Sequence, residues 1–208
     1  MALTNNPLAP VLESYFYIRD ALTITDRVID VSSSDLDVAT QLIGTRFEQA
    51  SRDSATEELL RSYDVWEDYI VLAFWAAFER KIIGFLSRRF PYTAQPRDTS
   101  EMAITLTRAH DRFVERGSID ERLNLFKNLV PAGILTVTHQ IKDYRNWVAH
   151  QNPNRSRPKK VDAEMTFRYL SFFSKRLTDT IDRRRILRKA SASGVEKISN
   201  GTRRFLLY

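Results

Sequence analysis

Arg145, Asn146 and His150 are the residues of this 208-residue chain whose types and spacing best suit chemistry. They fall in the run from Lys142 to Pro153, which reads Lys-Asp-Tyr-Arg-Asn-Trp-Val-Ala-His-Gln-Asn-Pro. An arginine binds and neutralises a phosphate through its fork of N–H donors, and a histidine moves a proton near neutral pH. Together they can carry metal-free phosphodiester chemistry. On a continuous helix, five residues turn through about 140°, too far for two side chains to share a face. Pro153 biases Asn152 out of helical geometry, so the helix is expected to end near His150. There the imidazole can swing back beside the guanidinium.

Most other chemistries lack their residues. The chain has no cysteine, which excludes disulfides, thiolate zinc sites, iron–sulfur clusters and cysteine nucleophiles. Histidines stand at 110, 139 and 150 without a His-Glu-x-x-His pair or carboxylates at metal spacing. No Gly-rich stretch resembles a P-loop or a dinucleotide fingerprint, and no serine has a histidine beside it. Neither a metal nor another cofactor is expected. His110 and His139 read as helix-face residues.

The elements that must position Arg145 and His150 are helical by their punctuation. Pro10 suits the first turn of a helix reaching about Asp30, with Leu12, Tyr15, Phe16, Ala21 and Leu22 as its apolar stripe. Ser34 can cap a second helix from Asp35 to about Ala50. Ser54-Ala-Thr-Glu57 has the pattern of a capping box and opens a long helix to about Phe90. Its middle, Val65 to Phe78, is apolar nearly all round, which predicts a central helix with Trp66, Tyr69, Phe74 and Phe78 in the core. Pro91 and Pro96 force a loop. Asp98 and Glu101 cap a fourth helix to about Gly117, and Ser118-Ile-Asp-Glu121 is a second capping-box pattern before a short fifth. Pro131 suits the first turn of a sixth helix, whose inward stripe is Ile141, Tyr144 and Trp147-Val148. After a loop at Asn152-Pro153-Asn154 and Pro158, a last helix is predicted from about Asp162 to Lys189. Period-two alternation is absent, so the fold class is all-α, a bundle of about six to seven helices. The organisation expected is an N-terminal helical extension over 1–53, a helical domain over 54–190 and a basic tail over 191–208.

Charge points the same way as the Arg/His pair. Lys and Arg number 32 against 26 Asp and Glu, giving +6. From Arg155 onward there are 15 basic and 5 acidic residues, so the surplus lies wholly in the last quarter. Arg155, Arg157, Lys159 and Lys160 form one cluster, and Arg183, Arg184, Arg185, Arg188 and Lys189 another. Clustered cations attract phosphate backbones whatever the base sequence, although a solvated helix face has the same composition. The longest uncharged apolar run, Tyr69 to Phe78, is too short for a bilayer. Met1 to Pro10 carry no secretory pattern, so a cytoplasmic protein without membrane contact is expected.

At this point the residues resemble a family. Arg145-Asn146 followed by His150 at a helix end of an all-α chain is similar to the HEPN superfamily signature of Arg, a polar residue, and His after four to six intervening positions. The helix from Trp66 to Arg80 also resembles that family's central helix, including an acidic residue, Glu79, near its far end. The similarity covers roughly Thr56 to Lys189. It implies a metal-independent endoribonuclease of toxin or phage-defence type, acting as a homodimer with two motifs facing across a cleft. His150 would serve as general acid or base on the ribose 2′-OH, Arg145 would stabilise the pentacoordinate phosphate, and Asn146 would orient one of them. The products would be a 2′,3′-cyclic phosphate and a 5′-OH, and RNA specificity would follow from the 2′-OH. Lys142, Arg155, Arg157, Lys159 and Lys160 would bind RNA, with Glu79 as a supporting acid. An antitoxin or another defence-system protein would be the partner. Some members carry a modifiable tyrosine two residues after the histidine; Asn152 stands there, which argues against that control.

A plainer reading of each residue stays open. His150 can simply favour a helix C-terminus as a cation, and Arg145 can pair with Asp143, Glu79 or another acid. Glu79 is read as a structural counter-ion in preference to a catalytic one. The alternative function is a catalytically inactive HEPN-like module that binds RNA or another protein.

Overall fold

The computed structural model describes residues 6–32, 40, 42–89, 110–114, 116–150 and 156–179, and among them there is no strand. The protein is an all-α helical bundle. Helix α1 spans Ala9–Ser32, α2 Arg52–Arg89, α3 Ile119–Asn124 and α4 Ala132–His150. A last helix, α5, occupies 163–179, and residues 110–114 and 116 are also helical.

The helix starts show where side chains outcompete propensity. The Ser118 capping box forms as its pattern predicts: Glu121 N donates to Ser118 Oγ at 3.2 Å and Ser118 N to Glu121 Oε2 at 2.9 Å. At α2 the cap lies three residues earlier than the Ser54 pattern suggests. Ser54 N donates to Ser51 Oγ and Ala55 N to the Ser51 carbonyl, while Glu57 turns away to Arg61. Pro131 precedes α4 instead of lying in its first turn, its carbonyl accepting from Leu135 N. Asp162 caps α5 by accepting from Met165 N at 2.6 Å.

Residues 42–50 depart from the helix expected over 35–50. They form successive i→i−3 turns, with Gly44 at φ +78° and its N–H donating to Glu48 Oε2. Two local effects break the helix here. Glycine alone adopts that φ without penalty, and the Thr45 hydroxyl takes the Leu42 carbonyl. Residues 33–39, the Pro91–Pro96 loop, most of the predicted fourth helix, and everything from 180 onward lie outside the described residues.

α2 is the spine of the bundle. α1 and α4 pack on it, and Ile70, Val71, Phe74, Trp75, Phe78 and Ile82 are buried along it. Phe78 meets Phe173 of α5 edge-on at 5.2 Å, and Phe126 closes on Phe173 at 5.7 Å. Each such fully buried side chain contributes about 2–3 kcal/mol from apolar area. The expectation of an all-round buried centre fails on one flank. Tyr69 is 58% exposed and Val65 52%, because residues one turn apart on this flank face away from the bundle. Ala21 of α1 is likewise exposed, not part of the inward stripe.

Candidate active site

α4 carries Arg145, Asn146 and His150, and its burial pattern decides where each points. Ile141, Tyr144 and Val148 are buried in the main core cluster, and α4 packs on α2, which anchors the helix. Trp147 is half-buried beside them. That anchoring leaves Arg145 and Asn146 half-buried on the flank and His150 exposed in the last turn. Arg145 Nη1 donates to Asn146 Oδ1 at 2.9 Å, so the neighbouring amide fixes one branch of the guanidinium. The other N–H groups of Arg145 meet no acceptor among the described residues, which suits them to a phosphate.

Arg145 and His150 are not joined by a hydrogen bond among the described residues. α4 continues through His150, so the two side chains leave it about 140° apart. α4 ends at His150, as Pro153 leads one to expect, and the His150 residue is exposed there.

The cations expected to bind RNA divide into committed and available ones. Lys142 is 13% exposed, and its ammonium is held by both Asp120 oxygens, at 2.6 and 2.8 Å, and by Asp143 at 3.2 Å. Burial alone would lower its pKa, but the two carboxylates outweigh that and raise it. Lys160 pairs with Asp64 at 2.8 Å and Glu67 at 3.2 Å, and the hydrogen bond to Asp64 is the main reason its pKa is raised. Arg157 and Lys159 are exposed, and Arg155 lies outside the described residues. Glu79 accepts from Arg122 at 3.3 Å, across 43 residues of sequence. Arg122 is only 4% exposed, and the pair fits the counter-ion reading of Glu79, which makes no hydrogen bond or ion pair with Arg145.

A network that single-sequence reading misses ties the end of α4 to the spine. The buried Tyr144 donates its hydroxyl proton to Asp68 Oδ1 and accepts from Arg157 Nη2 at 3.1 Å. Burial, then the Asp68 carboxylate, raises the Tyr144 pKa. Arg157 also lies over Trp147, so this residue packs back onto α4. The separations are 76 residues for Asp68 to Tyr144 and 13 for Tyr144 to Arg157. Only the latter falls within reach of a local pattern. His139 pairs with Asp120 at 3.1 Å and His110 with Asp111 at 3.2 Å.

Among the described residues no three of His, Cys, Asp and Glu converge to hold a metal ion, and no helix is long and apolar enough to cross a membrane. Compared with known proteins, the chain matches no family model, no curated protein and no solved structure.

Proposed function

We propose that the protein is a metal-independent endoribonuclease of toxin or defence type, using Arg145, Asn146 and His150 in the cytoplasm. The observation that supports this is a guanidinium, braced by Asn146 and with no other acceptor among the described residues, five residues before an exposed imidazole at the end of the same helix. Arg145 would neutralise the phosphate as charge builds on it, and His150 would take the 2′-OH proton or return one to the leaving 5′-oxygen. Attack by the 2′-oxygen on phosphorus and loss of the 5′-oxygen gives a 2′,3′-cyclic phosphate and a 5′-OH. Because the two groups diverge on α4, one phosphate is best reached by Arg145 from one copy and His150 from a second, which supports a homodimer cleft. The resemblance to HEPN domains supports the same assembly, with an antitoxin or defence-system protein as regulator. Lys159 is the cation best placed to hold RNA, since Arg157 is engaged by Tyr144 and Trp147.

The test is single-turnover cleavage of RNA with chelator present. His150→Ala should slow cleavage by about 10²–10⁴-fold, and Arg145→Ala by a comparable factor. If wild type and both variants cut alike, or cutting requires metal, the reading is wrong. A second reading, an inactive RNA-binding or protein-interaction module, is favoured because no hydrogen bond joins Arg145 to His150 among the described residues and the two leave α4 about 140° apart. It predicts salt-dependent RNA affinity, no products, and indifference to His150→Ala.

A further inference from the structure

Among the described residues, two cations are half-buried without a carboxylate partner, and they lie on different helices. One is Arg145 of α4, braced only by Asn146; the other is Lys81 of α2. The others withdrawn from solvent, Arg19, Arg122 and Lys142, pair with Glu164, Glu79 and Asp120 in turn. Lys81 has a second cation for a neighbour instead. Arg88 folds back along α2, its Nε donating to the Gly84 carbonyl at 2.8 Å. Its Nη2 lies 3.8 Å from the point where a side chain on Gly84 would begin. The guanidinium therefore stands over the glycine, one turn from Lys81. At 100° per residue, Lys81, Gly84 and Arg88 fall within about 60° of arc. No acid occurs in the sequence from 81 to 89. The helix dipole favours Arg88 in the last turn, but its effect fades within that turn and does not reach Lys81.

We infer that Lys81 and Arg88 form a binding site for a phosphate group, with Gly84 as its floor. The arginine offers a planar edge of donors and the lysine a mobile point charge. A carboxylate is satisfied by the arginine fork alone, whereas a phosphate has oxygens left over for the ammonium. With hydrogen in place of a side chain, Gly84 keeps the space between the two cations open. Burial first, and the Arg88 charge second, lower the Lys81 pKa, and a bound phosphate opposes both by supplying the missing counter-charge. Inorganic phosphate, a phosphorylated small molecule and a nucleic-acid backbone all present this oxyanion. The site shares no residue with the end of α4, and the inference does not rest on the nuclease reading.

The experiment is trace acetylation of the full chain with acetic anhydride at about pH 8, where exposed lysines are mostly charged. Each lysine is read separately by mass spectrometry. The reagent takes only the unprotonated amine, so a bound phosphate protects Lys81 by keeping it charged and covered. With about 100 mM phosphate and a site of about 10 mM affinity, Lys81 should label about tenfold more slowly than in sodium chloride of equal ionic strength. Exposed Lys159 should label alike in the two salts. Arg88→Gln should abolish the protection, with helicity by circular dichroism unchanged. A 2′-O-methyl oligoribonucleotide, which has no free 2′-OH to attack, forms the second arm. Protection by it at micromolar concentration places a nucleic-acid backbone in the site; protection by inorganic phosphate alone assigns a small phosphorylated ligand. Lys81 labelling that neither phosphate nor the oligonucleotide slows, or full protection in Arg88→Gln, overturns the proposal. Should Lys81 label in neither salt, thermal melting decides. Replacing chloride by phosphate must then raise the midpoint of wild type more than that of Arg88→Gln, and an equal rise overturns the proposal.

Discussion

The Arg157 guanidinium lies over the Trp147 indole, 4.7 Å from the ring centroid, while its Nη2 donates to the Tyr144 hydroxyl. The contact spans ten residues of sequence and ties Arg157 to the last turns of α4. Arginine is suited to both tasks because its plane stacks while its edge donates.

Arg157→Ala should therefore cost about 1 kcal/mol in urea unfolding, from the loss of an exposed cation–π contact and one hydrogen bond. Arg157→Lys keeps the charge but neither the stack nor the planar fork, and should recover less than half of that loss. If Lys recovers all of it, the contact acts only through charge.

Tyr144→Phe removes a hydroxyl that serves Asp68 and Arg157 together, and the expected loss is about 1–2 kcal/mol. The pH dependence has a definite sign. The folded-state pKa of Tyr144 is raised, by burial first and Asp68 second, so its contribution is complete below the unfolded value near 10. That contribution is lost as pH rises through the folded value. Wild type should lose stability above about pH 10 more steeply than Tyr144→Phe, measured by thermal melting across that range.

How much of this was legible in sequence follows from the range of each interaction. The Ser118–Glu121 box spans three residues and was readable in full. The inward stripe of Ile141, Tyr144 and Val148 was readable because period 3.6 reports burial directly. The α2 cap falls one turn before the expected position because Ser51 and Ser54 both suit an N-cap, and only tertiary context places the first turn. Arg122–Glu79 and Tyr144–Asp68 join residues 43 and 76 apart, with no local signature. Tyr69 is exposed where the pattern predicts core, because an apolar run does not reveal which flank its neighbours leave open.

The salt bridges separate two lysines that look alike in sequence. Lys142 is consumed by Asp120 and Asp143, whereas Lys159 is exposed, with no ion pair among the described residues. Lys159→Ala should reduce the slope of log affinity for RNA against log salt by about one, and Lys142→Ala should leave it unchanged. Lys142→Ala should instead act on stability. Its hydrogen bond is the largest cause holding the Asp120 pKa below the usual carboxylate value, so the contribution is present above about pH 4 and lost as pH falls through the depressed value. Asp120 is half exposed, so solvent screening keeps the neutral-pH effect at about 1 kcal/mol or less. The two variants should differ from wild type in opposite assays.

Asn146 offers the sharpest separation between positioning and folding. Its Oδ1 accepts from Arg145 Nη1, and it is half-buried on the flank of α4, away from the core stripe. Asn146→Ala should therefore leave the melting temperature nearly unchanged while freeing the guanidinium to leave its fixed rotamer. Under the nuclease reading the lost orientation should slow the single-turnover rate by about tenfold, with little change in RNA affinity, because the charge itself remains. Asn146→Asp retains an acceptor but pairs with Arg145 as an ion and adds a negative charge beside the phosphate site. It should slow cleavage further and weaken RNA binding. An Asn146→Ala rate equal to wild type would show that the amide does not position Arg145 for the reaction, whatever its hydrogen bond in the free protein.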